Sequence, residues 1–362
     1  MKKIVHIISD SNIGGAGHQM LSLLDATHGL SREAYDITVI LPHDAKLIPS
    51  LQGQGTQYTT VGGLAEKSFS TTAVKEILQV LKKIRPDIVH THGVLSGRVA
   101  GKLYGRCKIV YTRHSVFAPA AWQTKFPGRM LAGFVNNFFS HRIISVSPAA
   151  ADNLVAVGTN PAKITNIYNG MRPVVATDID LRAKYDIPAN ALVVAQIARL
   201  TPVKGHDYVL DAAKSLLGSN VIFLLAGDGE YKEHLQKRIQ EENITNVRLL
   251  GFITQVEEIL QLMDIQISAS YGTEATSLAL VQGMSLGKPG VVSDFGGNPY
   301  VIQHGKNGLV VPQRNAQALA EGILIVEKNP AQYRAQALAI YEQNFTQAKM
   351  IQSTAAVYES LG

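Results

Sequence analysis

The feature that most constrains the fold is a regular alternation of short apolar runs with longer segments at helical spacing. The short runs are β-branched and apolar on both faces, as buried parallel strands are. In the first half of the chain they are KIVHIIS (3–9), ITVILP (37–42), DIVHTH (87–92), KIVYTRH (108–114), RIISVS (142–147) and KITNIYN (163–169). Segments such as AVKEILQVLKKI (73–84) separate them. The pattern predicts a doubly wound α/β domain.

The alternation then starts a second time. Its runs are LVVAQIAR (192–199), VIFLLAG (221–227), VRLLG (247–251), DIQISAS (264–270) and GVVSD (290–294). A chain of 362 residues is long enough for two such domains. We therefore predict two facing Rossmann-like, doubly wound α/β domains, over 1–172 and 173–340, with a hinge near 172–180 and a ligand cleft between them. We expect a C-terminal helix over 341–362 that packs back toward the first domain.

Cysteine content and hydropathy indicate the compartment. Cys107 is the single cysteine of the chain, so no internal disulfide can form, which suits a reducing compartment. The apolar run at the N-terminus ends at Asp10 and is too short for a signal peptide. No apolar run approaches the roughly 18 residues that span a bilayer. We expect a cytoplasmic protein.

The net charge of +6 is concentrated in the first half of the chain. Residues 88–151 contain no Asp or Glu, and within them the segment 115–142 interleaves aromatic residues with Lys and Arg. Such a segment is either a buried helix with cationic ends or a surface for anionic lipid. We favour contact with the inner face of a membrane. Nucleic acid is disfavoured as a partner because the basic residues fit no known reading module.

Glycines follow the first predicted strand, in SDSNIGGAGHQM. Gly14 and Gly15 would let backbone amides approach an anion at a helix N-terminus. The pattern is not G-x-G-x-x-G, and no acidic residue follows the second strand, so a nicotinamide cofactor is disfavoured. Taken alone, these residues are better explained as a plain glycine turn.

The second series carries cations and glycines at its strand ends. In ARLTPVKGHD, Arg199 ends a strand and Lys204 opens a helix, a pairing that suits a diphosphate. Gly227 and Gly251 follow the next two strands, the second with Phe252 and Ile253 behind it. We interpret these turns as one wall of a binding site.

The stretch GTEATSLALVQ (272–282) places one carboxylate, Glu274, before a predicted helix. The helix begins near 276–277, and the amides of Ser277 and Leu278 would point at a phosphate. Gln282 lies on that helix, eight positions after Glu274.

In this order and spacing, the motifs resemble those of the retaining glycosyltransferases of family 4, group 1, which have the GT-B fold. The resemblance covers essentially the whole chain. It is carried by the double glycine at 14–15, HTHG (90–93), TRH (112–114), NG (169–170), R-x4-K (199–204), GDG (227–229), GF (251–252) and positions 274 and 282. At these last two positions the family has an E-x7-E motif, and this chain departs from it with Gln282 in place of the second Glu.

The resemblance implies a role for each matched residue. Arg199 and Lys204 would hold the donor diphosphate, Glu274 the hydroxyls of the donor sugar, and His114 would lie near the reacting centre; these four form the implied catalytic set. The implied binding set is Gly14, Gly15, Gly227, Gly251, Phe252, Ile253, Thr276, Ser277, Leu278 and Gln282. The donor would be a UDP-sugar or GDP-sugar, with no metal required, and the acceptor a cell-envelope glycan or lipid-linked glycan of the lipopolysaccharide type.

Three alternatives remain open from the residues. His90, His92 and His114 could suggest a zinc site, which we disfavour because no acidic residue or cysteine lies nearby in sequence to complete it. A non-hydrolysing nucleotide-sugar epimerase would share the architecture but needs acid and base groups beside the ring carbons of the sugar, and residues 88–151 offer histidines but no carboxylates. An inactive nucleotide-sugar-binding relative is suggested only by Gln282.

Overall fold

The computed structural model describes residues 1–11, 14–25, 29–30, 34–64 and 68–362, so Asn12 and Ile13 of the predicted glycine turn lie outside the described residues. The chain divides into two compact units. The first contains Met1–Gly170 and Gln347–Gly362, and the second contains Met171–Thr346.

The first unit is built on a parallel sheet that has seven strands in the described residues. They are β1 (Lys2–Ile8), β2 (Tyr35–Leu41), β3 (Gln57–Thr60), β4 (Ile88–His92), β5 (Lys108–Arg113), β6 (Arg142–Ser145) and β7 (Ile164–Asn166), in the order β3-β2-β1-β4-β5-β6-β7. Its helices are α1 (Gly15–Leu23), α2 (Ile48–Gly53), α3 (Thr71–Ile84), α4 (Leu95–Tyr104), α5 (Gly128–Phe138) and α6 (Pro148–Ala156), joined at the end of the chain by α15 (Gln347–Glu359).

The two faces of this sheet have separate cores because alternate strand residues point to opposite sides. Val5, Ile7 and Val89 pack with residues of α3 and α4. Ile4, Ile8 and Ile88 pack with residues of α1 and, from the C-terminal helix α15, with Met350, Val357 and Tyr358. The last helix of the chain therefore completes the core of the first unit.

The second unit contains a parallel sheet with six strands in the described residues. They are β8 (Leu192–Ile197), β9 (Val221–Ala226), β10 (Val247–Gly251), β11 (Ile265–Ser268), β12 (Gly290–Ser293) and β13 (Gly308–Val311), in the order β10-β9-β8-β11-β12-β13. Its helices are α7 (Leu181–Lys184), α8 (His206–Ser215), α9 (Lys232–Glu241), α10 (Val256–Leu262), α11 (Leu278–Ser285), α12 (Asn298–Val301), α13 (Ala316–Lys328) and α14 (Pro330–Asn344).

The structure confirms the predicted class, two Rossmann-like α/β domains with parallel sheets, and adds two strands that the sequence patterns did not predict. Both are edge strands, β3 and β13. The β3 sequence QYTT is half-exposed and polar, and β13 is only four residues long and begins with glycine. An edge strand is covered on fewer sides than a central one, so β3 lacks the continuous apolar run that marks a buried strand, whereas the short apolar run of β13 was a signal that the sequence analysis missed.

Candidate functional site

Lys204 lies in a short 3-10 helix, Pro202–Lys204, that follows β8. Gly205 ends this turn with φ of +74°, and a Cβ there would lie 2.0 Å from the carbonyl oxygen of Ala269. The amide of Gln196 joins the two segments, because its Nε2 donates to the Lys204 carbonyl at 3.1 Å and its Oε1 accepts from the Ala269 amide at 3.1 Å. The ends of β8 and β11 are thereby tied together, which fixes the backbone of Lys204.

Lys204 and Glu274, which are 70 residues apart in sequence, form an ion pair. The Lys204 Nζ lies 2.7 Å from Glu274 Oε2 and also donates to the Thr273 carbonyl at 3.2 Å. The Ser270 hydroxyl donates to the same carboxylate oxygen at 3.3 Å. Glu274 is 9% exposed, so these donors hold a largely buried carboxylate in one orientation. The structure thus brings together two of the four predicted catalytic residues.

The loop that carries Glu274 rests on a glycine pair that the sequence analysis did not single out. Gly297 donates its amide to the Glu274 carbonyl at 3.0 Å. Gly296 has φ of +58°, and a Cβ there would lie 2.2 Å from the same carbonyl oxygen. This pair follows β12, as other glycines follow their strands, and that position was the signal that could have identified it.

Helix α11 begins directly after this loop. Ser277 is its N-cap residue, and the hydroxyl of Ser277 accepts from the Leu280 amide at 3.4 Å. The remaining first-turn amides of a helix have no partner within the helix, and the helix dipole favours an anion there. Thr276 is buried, whereas Ser277, Leu278 and Gln282 are half-buried. This is the predicted phosphate-binding element, and Gln282 lies one turn further along it.

Arg199 is exposed, and among the residues described in the second unit it is not brought into an ion pair with another predicted site residue. Its neighbours are close to the Gly227 turn, because a Cβ on Gly227 would lie 1.9 Å from the carbonyl oxygen of Ala198. Gly227 in turn donates its amide to the Gly251 carbonyl at 2.8 Å. The three strand ends are therefore adjacent. Phe252 is 75% exposed and Ile253 is half-buried beside them.

In the first unit the predicted site residues lie at the starts and ends of elements at the carboxyl edge of the sheet. Gly14 is the N-cap of α1 and Gly15 is its first residue. A Cβ on Gly14 would lie 3.0 Å from the Asp10 carboxylate, while a Cβ on Gly15 would meet no atom of the described residues within 4 Å. With respect to those residues, Gly15 is thus the position of the two that leaves open space beside the helix N-terminus.

His114 follows β5, and a second histidine holds its ring. Its Nε2 lies 3.0 Å from the Nδ1 of His92. Its Nδ1 is a buried atom without a hydrogen-bond partner among the described residues. Burial, with a smaller contribution from the Arg113 guanidinium, lowers the pKa of His114 to about 4. The ring is therefore neutral at physiological pH.

Three histidines of the first unit lie close enough together to be considered as a metal site. They include His6 in place of His114, which was the third histidine considered from the sequence. One ring nitrogen from each of His6, His90 and His92 lies within 4.8 Å of the others. All six of their ring nitrogens, however, have hydrogen-bond partners: His6 and His92 with each other, and the rest with Tyr358, Thr112 and His114. The hydrogen bonds account for the cluster, so we assign it no metal.

Comparisons with known proteins give matches in both halves of the chain. A model described as "Glycosyl transferases group 1" matches residues 178–343, and one described as "Glycosyltransferase Family 4" matches residues 13–173. The Escherichia coli UDP-Gal:alpha-D-GlcNAc-diphosphoundecaprenol alpha-1,3-galactosyltransferase is 26% identical over 352 residues, 87% of this chain and 88% of its own. The Rhizobium meliloti lipopolysaccharide core biosynthesis glycosyltransferase LpsE is 28% identical over 183 residues, 50% of this chain and 52% of its own.

A solved structure of similar fold is that of Anabaena HepE in complex with UDP. It has a TM-score of 0.85 and 22% identity, covering 99% of this chain and 100% of its own. HepE has also been solved with UDP-glucose. At this identity the likeness concerns the fold, which is the GT-B fold predicted above. Within the described ranges, no helix is both long and apolar enough to cross a bilayer.

Proposed function

The chain belongs to the group 1 glycosyltransferases of family 4, and we propose that it moves a hexose, with retention, from a UDP-sugar to a lipid-linked cell-envelope glycan. The observation that carries this proposal is the Lys204–Glu274 pair beside the N-terminus of α11. An ammonium and free helix amides suit a diphosphate, and a fixed carboxylate suits sugar hydroxyls. UDP is the preferred nucleotide because HepE binds it and the Escherichia coli relative is named for a UDP-sugar donor.

In the proposed reaction the acceptor hydroxyl oxygen bonds to the anomeric carbon while the bond from that carbon to the diphosphate oxygen breaks. The acceptor proton passes to the leaving diphosphate on the same face of the sugar. Lys204, Arg199 and the first amides of α11 would stabilise the charge that develops on the diphosphate. Glu274 already accepts hydrogen bonds from Lys204 and Ser270, so we assign it to binding the sugar rather than to nucleophilic attack.

Helix α5 of the first unit supports the proposal of a lipid-linked acceptor, because its small residues are buried and its large apolar residues are exposed. Its glycines are buried, and a Cβ on Gly133 would lie 2.3 Å from the Gly158 carbonyl oxygen. Its large apolar residues instead face solvent; three of them have the i, i+4 and i+8 spacing of one helix face, and Leu131 follows the first of the three. They are Met130 (66% exposed), Leu131 (58%), Phe134 (56%) and Phe138 (46%).

The apolar surface extends beyond α5 and is bordered by cations. Trp122 and Phe126 precede the helix and are 57% and 81% exposed. Lys125 and Arg129 are exposed beside them, and Lys102 lies 4.3 Å from the ring centroid of Phe138. Exposed aromatic residues among cations suit the interface of an anionic membrane. We propose that this surface, residues 117–138, holds the enzyme at the membrane that contains its acceptor.

Ligand-dependent thermal unfolding tests the donor assignment. UDP and UDP-sugars should raise the midpoint of unfolding of the wild-type protein because they bind only the folded state. GDP should raise it less, and Lys204→Ala should abolish most of the UDP effect. A larger shift with GDP would reject uridine as the base.

The reaction itself is tested by incubating the protein with the UDP-sugar, with and without a lipid-linked glycan. We expect transfer only when the acceptor is present, with the anomeric configuration retained. Formation of an epimer without acceptor would reject the proposal in favour of an epimerase. Binding without any turnover would indicate an inactive relative.

A further inference from the structure

We propose that Tyr358, His6 and His92 are positioning residues, which hold His114 through a buried hydrogen-bonded chain. The chain runs from the Tyr358 hydroxyl to His6 Nε2 (3.4 Å), from His6 Nδ1 to His92 Nε2 (3.0 Å), and from His92 Nδ1 to His114 Nε2 (3.0 Å). It starts on the C-terminal helix α15 and ends on the residue that follows β5. This inference rests on the proposed function, in which His114 has the place near the reacting centre that the family resemblance implies.

The chain exists because its members share one face of the sheet. Side chains two residues apart in a strand point the same way. His90 and His92 in β4 therefore point to the side of Thr112 and His114. Register across the sheet pairs His6 with His90 and His92 with Thr112. Helix α15 covers this face, and Tyr358, which is fully buried, lies over the histidines.

A second branch leaves Tyr358 in the opposite direction. The hydroxyl of Tyr358 lies 2.6 Å from His90 Nδ1, and His90 Nε2 lies 2.6 Å from the hydroxyl of Thr112. Tyr358 is thus the junction between the two branches. Because its hydroxyl has only one proton, it donates to one branch and accepts from the other.

Counting protons leaves two consistent arrangements. If Tyr358 donates to His90, then His6, His92 and His114 each carry their proton on Nε2, and His114 presents a bare Nδ1 that accepts a hydrogen bond. If Tyr358 donates to His6, the three protons move to Nδ1, and His114 presents a donor. In each arrangement every ring nitrogen of His6, His90 and His92 is satisfied, so the chain sets the tautomer of His114.

The hydrogen-bonded side chains carry no charge that would disturb this arrangement. Burial lowers the pKa of His6 to about 3 and keeps the pKa values of His90 and His92 well below the ordinary histidine value. Burial also raises the pKa of Tyr358 well above 10. All members are neutral at physiological pH, and a neutral chain can orient a ring without adding charge to the site.

The functional consequence concerns the free nitrogen of His114. The chain occupies Nε2, which leaves Nδ1 as the nitrogen that a substrate hydroxyl can meet. A buried polar atom without a partner is unfavourable, so a hydroxyl brought by the substrate would be bound there. The hydrogen-bonded chain fixes the direction of that contact, and the proton arrangement along it decides whether Nδ1 donates or accepts.

A double-mutant cycle tests whether Tyr358 acts through His114. Tyr358→Phe should lower kcat by about 3- to 10-fold, the effect of one neutral hydrogen bond, and leave the donor Kd within about twofold. In a His114→Ala background the same change should have no further effect, because coupled residues are not additive. Tyr35→Phe is the matched control, since Tyr35 is buried and its ring lies 5.9 Å from that of Tyr358, outside the chain. Additive losses, or an equal loss in Tyr35→Phe, would overturn the proposal.

Nitrogen-15 NMR of the full-length protein with labelled histidine provides a test that does not depend on enzyme activity. We expect His114 to occupy a single neutral tautomer, with ring shifts that change in Tyr358→Phe and remain in Tyr35→Phe. If Tyr358→Phe folds and the ring nitrogen shifts of His114 are unchanged, the proposal that the hydrogen-bonded chain holds His114 is rejected. If Tyr358→Phe does not fold, His92→Asn keeps a polar atom toward His114 and cuts the link to His6, and the same shift change is required of it. If the wild-type protein shows these shifts but has no transferase activity, the proposed function is rejected and the hydrogen-bonded chain is still supported.

Discussion

At the scale of single residues, the Lys204–Glu274 pair joins stability to function. The two side chains are 19% and 10% exposed, so water compensates little when one partner is removed. Each holds the other in the orientation that a ligand would meet. Their chemistry was predicted from sequence, but the contact between them was not.

Replacing Lys204 by Ala should therefore have two effects. The free energy of unfolding should fall by about 1–3 kcal/mol because Glu274 loses a charged donor. The kcat should fall more than the donor KM rises, because the cation acts on charge that develops in the transition state. Urea unfolding and steady-state kinetics measure these effects, with Lys237→Ala as the control, since its pair with Glu241 is largely exposed. A pure KM effect would contradict the transition-state role.

Gln282 is the second residue with a distinct expectation. An amide offers one acceptor and one donor group, whereas a carboxylate can accept from both ribose hydroxyls with stronger, charge-assisted bonds. Gln282→Glu should lower the donor KM by about fivefold, roughly 1 kcal/mol, and leave kcat nearly unchanged. Gln282→Ala should raise KM in the same assay. An unchanged or higher KM in Gln282→Glu would remove Gln282 from the ribose site.

At the scale of elements, the site depends on turns at the ends of parallel strands. Gly205 illustrates this, because it ends the 3-10 helix of Lys204 with a left-handed conformation and lies directly against β11. A side chain there would separate the two strand ends that Gln196 connects. The position of Lys204 is thus a property of the β8 and β11 segments together.

Gly205→Ala separates the cost of contact from the cost of backbone conformation. Gly218 also has positive φ, +84°, but a Cβ there meets no atom within 4 Å in the part of the chain that the structure describes. Both alanine variants should lose about 1–2 kcal/mol from the left-handed conformation. Only Gly205→Ala should lose further free energy of unfolding beyond this amount, and it should also lose most of its kcat/KM. Equal losses of stability and activity in the two variants would show that the contact with Ala269 is unimportant.

The row of histidines across β1, β4 and β5 predicts sensitivity to acid. The pKa values of His6 and His114 are lowered to about 3 and about 4, so the unfolded chain takes up protons first as the pH falls below about 6.5. The stability that these neutral rings contribute is complete above that pH and is lost as the pH falls toward 4.

Urea unfolding at pH 7, 6 and 5 measures this loss. The free energy of unfolding should decrease by up to about 1.4 kcal/mol per pH unit for each such histidine below pH 6.5. His206, also buried with a pKa lowered to about 4, offers a comparison, and His206→Leu should show a shallower decrease. A free energy that is constant between pH 7 and 5 would contradict the assignment of neutral buried rings.

At the scale of the whole molecule, charge and apolar surface are unevenly shared between the two units. The stretch 88–151 has no acidic residue and belongs entirely to the first unit, which also bears the apolar surface of residues 117–138. The second unit holds the Lys204–Glu274 pair. This division is consistent with membrane contact through one unit and donor binding in the other.

Liposome flotation tests the membrane contact. Binding should require anionic lipid and weaken as salt rises, because screening acts on exposed cations. Phe126→Ser with Met130→Ser should abolish it. Ile325→Ser, at a residue 47% exposed in the second unit, should not. Absence of flotation with any lipid would reject the proposed role of residues 117–138.

Local patterns in the sequence were sufficient to predict the fold class and to propose the site residues. Continuous apolar runs identify buried strands, and glycines or cations directly after them identify the binding edge, because parallel strands end on one side of a sheet. Period-two spacing also places His90 with His92, and Thr112 with His114, on common faces. These properties belong to neighbours along the chain, which is why the sequence alone determined them.

The tertiary structure decided which distant groups meet. It paired Lys204 with Glu274, set Gly296 and Gly297 under the Glu274 loop, and left the apolar face of α5 exposed. It also placed Tyr358 of the last helix beside histidines more than 260 residues away. No local pattern encodes these contacts, because they depend on how whole helices and sheets fill shared space, and that packing is determined by the complete chain.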